Sequence, residues 1–120
     1  MEDRKKEQLE LLETLAEFND GLVHNIGIII KEYRGARLDD TNVFMDGIVD
    51  AMNWEIEAFN VTEDLINEEA EIINKEQFED AVCALNMSIK AKDDGAMASC
   101  LEEVMVFFEA FGQRAKELTA

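Results

Sequence analysis

The sequence predicts an all-α fold, an antiparallel bundle of four main helices in a single domain over residues 1–120, and three observations lead there. The chain contains no proline, so nothing stops a helix by removing an N–H and clashing with the preceding turn. Alanine, leucine, glutamate, lysine and methionine are abundant, and all favour helix. Apolar residues recur at steps of three and four, the period of one helix face. With 120 residues, 48% of them hydrophobic, the apolar surface is enough to offset the ordering entropy of one domain, despite a formal net charge of −17.

In the first helix Leu11, Leu15, Phe18, Leu22, Ile26, Ile29 and Tyr33 form one stripe, and Gly35 follows as a C-terminal stop. Gly21 and Gly27 lie inside this pattern; each weakens a helix by about 1 kcal/mol relative to alanine unless the missing side chain admits a close neighbour. Asn19 falls within the apolar arc, where an amide must find hydrogen-bond partners and serves to fix register. The second helix carries Met45, Ile48, Met52, Ile56 and Phe59 behind a cap at Asp39 or Thr41. A further start at Thr62, with Val61 placed to staple against Ile66, makes 62–73 a short extra helix or an irregular bridge.

The third helix has the sharpest beginning. Asn74 and Gln77 stand as the two members of a capping box and Ile73 and Phe78 as a hydrophobic staple, with Phe78, Val82, Leu85 and Ile89 facing inward. The last helix is capped by Asp93 and runs through Met97, Leu101, Val104, Phe108, Phe111, Ala115 and Leu118. Those steps alternate four and three, a seam suited to antiparallel helix packing.

Charge is distributed unevenly. From Leu38 to Asn74 there is no lysine or arginine, while Asp39, Asp40, Asp46, Asp50, Glu55, Glu57, Glu63, Asp64, Glu68, Glu69 and Glu71 all carry acid. A field of that sign repels nucleic acid and anionic membrane and attracts basic partners. The longest uninterrupted run of isoleucine, Ile28 to Ile30, is far short of a bilayer span of roughly 20 residues. The opening residues are charged and lack the apolar core of a secretory leader, so a cytoplasmic location and reduced Cys83 and Cys100 are expected.

The motifs of common chemistries are missing. Di-metal bundles need paired Glu-x-x-His, and His24 is the only histidine, with Gly21 three residues before it. Zinc lacks clustered Cys and His. Around Gly47 a calcium loop fails, since Phe44 and Asn53 occupy ligand positions. There is no phosphate-binding glycine loop and no nucleophile elbow. His24 points away from the apolar stripe, so the reading is of a protein without catalytic residues, metal or cofactor.

At about 100° per residue a few large apolar side chains land on polar faces. They are Ile28, one turn after His24; Trp54, flanked by Asp50 and by the small residues Gly47, Ala51 and Ala58; Val106, among Glu102, Glu109 and Gln113; and the pair Cys83 and Met87. Trp54, Ile28, His24, Val106 and Asp50 are therefore the candidate partner-binding residues, with Trp54 the expected anchor, because aromatic side chains dominate binding hot spots.

The stretch "ALNMSIKAKDDGAMASCLEEVMVFFEAF", residues 84–111, resembles small acidic all-helical proteins of Gram-positive bacteria of uncharacterised function. In those, a helix ending in a Lys-Asp turn is followed at once by a last helix bearing Leu-Glu-Glu or Leu-Glu-Tyr. Lys92-Asp93 and Leu101-Glu102-Glu103 match, whereas Asp94 and Gly95 replace the usual aromatic and aliphatic. The resemblance implies no activity and no site. In size and acidity the chain is similar to bacterial flagellar and secretion chaperones, which implies a role in holding an amphipathic segment.

Three functions follow as expectations. The first is an interaction module, chaperone or adaptor taking a basic or amphipathic helix of another protein into an apolar groove rimmed by acids. The second is a small-ligand binder or enzyme with an interhelical cavity, using Asn19, Glu55 or Tyr33 as polar groups. The third is a structural homodimer joined through the Ile28 face. None of the three involves nucleic acid or membrane.

Overall fold

The computed structural model describes residues 2–120. It consists of α1 (Glu2–Tyr33), α2 (Thr41–Ile66), α3 (Lys75–Ala91) and α4 (Asp94–Thr119), with no strand among the described residues. At a rise of about 1.5 Å per residue, the 32 residues of α1 account for the 48 Å long dimension of the molecule.

α1 packs against α2 on one side and α4 on the other, α4 carries α3 on its far side, and α2 touches α4 more lightly. The backbones of α2 and α3 do not come together. They are bridged by side chains instead: Phe59 meets Phe78 edge-on at 5.5 Å, and Phe78 stacks on Phe107 and sets its edge to Phe108. The bundle is therefore closed along three seams and cleft along the fourth.

Local signals set most of the helix ends. Asn74 Oδ1 accepts from the Gln77 N–H at 2.9 Å, and buried Ile73 and Phe78 staple the start of α3. Asp93 Oδ1 accepts from the Ala96 N–H at 3.1 Å to open α4. Gly35 closes α1 at φ +120°, with the Ala36 N–H reaching back to the Lys31 carbonyl. Gly35→Ala is expected to cost about 1 kcal/mol in urea unfolding, since a β-carbon strains that backbone; a cost near zero would show that the turn relaxes freely.

α2 departs from expectation at its start, and its far end decides between the two readings of 62–73. Asp40 occupies its cap position without a side-chain bond. Thr41 is fully buried and works differently: its hydroxyl accepts from the Leu38 N–H and donates to the buried carboxylate of Glu32 at 2.7 Å. At the other end no extra helix forms over 62–73. Residues 62–66 prolong α2, the Thr62 hydroxyl bonding back to the Ala58 carbonyl, and 67–74 is a loop. Asn67 organises it, its Oδ1 accepting from the Ile72 and Ile73 N–H groups and its Nδ2 donating to the Ile73 carbonyl. Those bonds compete with a helical turn, and Glu68, Glu69 and Glu71 add mutual repulsion.

The core stripes are also turned slightly from expectation. In α1 the buried line runs Leu12, Leu15, Asn19, Leu22, Ile26, Ile29, Tyr33, and Phe18 is 44% exposed. In α2 Glu55 is inside and Ile56 half-buried; in α3 Ala81 and Ser88 are inside, with Val82 and Ile89 at the edge. The α4 stripe is buried as expected from Met97 to Ala115.

Candidate functional site

Two features stand out where α1 crosses α2, one on the surface and one beneath it. The surface feature is a groove of about 630 Å³ between the helices, lined from α1 by Glu17, Phe18, Gly21, Leu22 and Asn25 and from α2 by Val43, Phe44, Gly47, Ile48 and Ala51. The glycines create it: a β-carbon built on Gly21 or Gly47 meets nothing within 4 Å. Their missing side chains thus leave open space rather than admitting a neighbour. Apolar surface remains in the open, with Phe18 44% and Val43 72% exposed.

The groove ends at an aromatic contact. Trp54 sets its ring edge-on to Phe18, centroids 5.4 Å apart at 71°. Trp54 is half-buried, not the freely exposed anchor its sequence position suggests, because α1 supplies a cover that an α2 helical wheel does not show. Asp50 stands one turn before it and is exposed.

One residue further along each helix, the side chains turn inward. Asn19 Nδ2 donates to Glu55 Oε1 at 2.8 Å and to the Phe108 carbonyl of α4 at 2.9 Å. Glu55 is wholly buried and its Oε2 has no hydrogen-bond partner. Burial pushes its carboxyl up from the ordinary 4.5 to about 7, and the hydrogen bond from Asn19 only partly offsets that rise. From α4, Gly112 makes room for the amide: a β-carbon there would fall 1.9 Å from Asn19 Oδ1. Three helices are thus joined at one level by a neutral amide and an acid without a cationic partner.

The other candidate residues are dispersed. His24 and Ile28 are exposed, one turn apart on α1. Val106, 64% exposed, lies in a shallow depression between α3 and α4 with Asp80, Glu103 and Phe107. Tyr33 does not join Asn19 and Glu55; it stands 14 residues further along α1 than Asn19, roughly 21 Å. There the Arg37 guanidinium lies over its ring. Burial raises the Tyr33 hydroxyl pKa, with Arg37 pulling the other way. Asn19 and Glu55 converge on each other and border neither groove between helices.

A second opening of about 200 Å³ lies in the cleft between α2 and α3, over Ile56, Phe59, Phe78 and Val82, with Lys75 and Glu79 at its rim. Cys83 borders it as an exposed free thiol, and Cys100 is also unpaired. Among the described residues no three His, Cys, Asp or Glu side chains come together as a metal site requires, and no helix is long and apolar enough to cross a membrane.

Residues 10–114 match a family described as a domain of unknown function, DUF8042. The chain belongs to that family. Comparisons with curated proteins and with solved structures find no match. The matched DUF8042 span takes in both walls of the α1–α2 groove, the Asn19–Glu55 pair and Gly112.

Sequence reasoning reached Trp54, Asp50, Asn19 and Glu55 but passed over Gly112, Val43 and Phe44. An isolated helix offers no reason to single out Gly112, whose role exists only against Asn19 of another helix. Val43 and Phe44 sit in the first turn of α2, too early for their exposure to show in a stripe.

Proposed function

We propose that this protein is an interaction module that seats a basic amphipathic helix of a partner protein in the α1–α2 groove. The reading rests on one observation above others: an exposed apolar groove whose two walls come from stretches free of lysine and arginine, residues 7–30 and 38–74. Glu17 lines the groove and Asp50 adjoins a lining position in the chain, while Asp20, beside Gly21, is already paired with Lys116 of α4. Apolar side chains of the incoming helix would fill the space over Gly21 and Gly47, and its lysines or arginines would meet the acids along the rim. A second copy of this chain is a poor occupant, because two bodies of −17 repel each other. The reading needs no catalytic group.

An 18-residue amphipathic peptide of leucine and lysine is the probe. It is expected to bind with an affinity that weakens as salt is added, and Gly47→Leu is expected to reduce that affinity by about tenfold or more. The variant fills the groove without changing any charge, so it separates docking from general attraction of a cation to an acidic protein. Because it removes a helix-interior glycine with open space around it, its stability should equal or exceed that of the parent by up to about 1 kcal/mol. Peptide binding indifferent to Gly47→Leu would remove the groove from the proposal.

A small-ligand role has one observation in its favour, the cleft between α2 and α3. Its apolar floor at Phe59 and Phe78 and its few polar rim residues suit a compact apolar molecule.

A further inference from the structure

We propose that Glu55 is a proton-operated latch: in its neutral form it holds the Phe18–Trp54 contact closed and the α1–α2 groove in shape, and in its ionised form it opens that contact and weakens docking. The existence of the latch is independent of the docking role. Only its consequence for a partner rests on that reading.

The geometry carries the argument. Glu55 is 0% exposed, with one oxygen held by Asn19 and the other held by nothing. A neutral carboxyl tolerates that position, whereas a carboxylate needs donors for both oxygens. The elements packed around it offer none. α1 presents only the Asn19 amide, whose Nδ2 is already shared with the Phe108 carbonyl, and α4 presents that carbonyl and Gly112; no charged side chain acts on the Glu55 carboxyl. Charged side chains near this level on the three helices, Glu17 and Asp20 of α1, Glu57 of α2, Glu109 and Lys116 of α4, are at the surface, Asp20 and Lys116 in an ion pair with each other, while the buried Arg114 of α4 is turned to the end of α2, donating to the Ile66 carbonyl and pairing with Glu117. An ionised Glu55 therefore gains solvation only from water, and water reaches it by separating α1 from α2.

The outer side of that crossing is the Phe18–Trp54 contact, formed by the residues immediately before Asn19 and Glu55. Phe18 is also a wall of the groove. Separation at the Asn19–Glu55 bond thus parts the aromatic pair and spreads the wall at the same time. The upward displacement of the Glu55 carboxyl places its proton loss near neutral pH, where a modest change in acidity alters the population of the two forms.

Trp54 is the only tryptophan, so the latch has its own reporter. Trp54 emission and acrylamide quenching are measured on the native chain from pH 5.5 to 8.5, alongside Glu55→Gln and Glu55→Met. The native protein is expected to show a sigmoidal red shift with rising quenching over this range, and both variants a flat profile. The exposed His24, the only histidine, is present in all three proteins. A transition that survives in a folded Glu55 variant assigns the change to His24 or another group and overturns the latch, as does a native protein without any transition. Affinity for the leucine–lysine peptide is then expected to fall about tenfold from pH 6 to pH 8 in the native protein alone. If the peptide fails to bind at any pH while the tryptophan transition holds, the docking role fails and the latch stands.

Discussion

Gly112→Ala is expected to destabilise the protein by about 3 kcal/mol, although the same change in an open helix stabilises it by about 1 kcal/mol. The sign is decided by Asn19. A β-carbon on Gly112 would meet Asn19 Oδ1 at 1.9 Å and Cγ at 2.4 Å, distances that no small adjustment relieves. Asn19 is only 3% exposed and cannot swing into solvent. If it rotates within the core, its bonds to Glu55 and to the Phe108 carbonyl are lost, and leaving buried polar groups unpaired costs about 1–3 kcal/mol. If instead α4 moves away from α1, the best-packed seam of the bundle loosens, and overpacking of this kind costs about 1–3 kcal/mol.

Asn19→Ala removes the obstruction, so the double variant should be less destabilised than the sum of the two single ones, with a coupling of about 1–3 kcal/mol. Urea unfolding of the four proteins measures it. Strict additivity would mean that Gly112 is not reserved for the Asn19 side chain.

The end of α1 and the starts of α3 and α4 were legible in the sequence because their chemistry is local. Asn74 with Gln77, Asp93, and Gly35 each satisfy backbone groups within one turn of themselves, so neighbours in the chain suffice to read them. The stripes were legible only up to their polar interruptions. Hydrophobic periodicity favoured Phe18 and Ile56, whereas the fold leaves Phe18 exposed and Ile56 half-buried; Asn19 is inside, as its place in the apolar arc suggested, and Glu55 takes the inward place beside Ile56. The reason lies across the helix pair: Asn19 is 14 residues before the end of α1 and Glu55 is 14 residues after the start of α2. In an antiparallel hairpin, equal arms bring the two level. A count of arm lengths from the 34–40 turn would have paired them, but no such count reaches Gly112. Its position depends on how α4 is set against α1, and nothing near it in the chain specifies that. The groove was hidden for a similar reason, since open space over Gly21 and Gly47 depends on what the neighbouring helix leaves uncovered.

The second large effect is on the dependence of stability on pH. Glu55 has a folded-state pKa of about 7 against an ordinary 4.5, so between these values the folded chain holds a proton that the unfolded chain has released. The stabilisation linked to that proton is complete below pH 4.5, declines as pH rises, and is gone above about 7. Taking about 1.36 kcal/mol per pH unit over the window, the native protein should lose about 2–3 kcal/mol of unfolding free energy between pH 5 and pH 8 from this one group.

Growing repulsion among the surface carboxylates acts in the same direction, because the chain departs further from its isoelectric point near 4.2. Glu55→Gln separates the two contributions. It keeps an acceptor for Asn19 and the same side-chain size, but it cannot ionise. Its pH profile should therefore be shallower than that of the native protein by about 2–3 kcal/mol, and the two profiles should converge or cross toward pH 5, where native Glu55 is already neutral. Above pH 7 the variant should be the more stable protein, an uncommon result for a substitution at a fully buried position, and one that follows only if the native carboxylate is held without a cation. Parallel profiles from pH 5 to pH 8.5 would show instead that Glu55 is solvated in the folded protein, and that surface repulsion alone sets the slope.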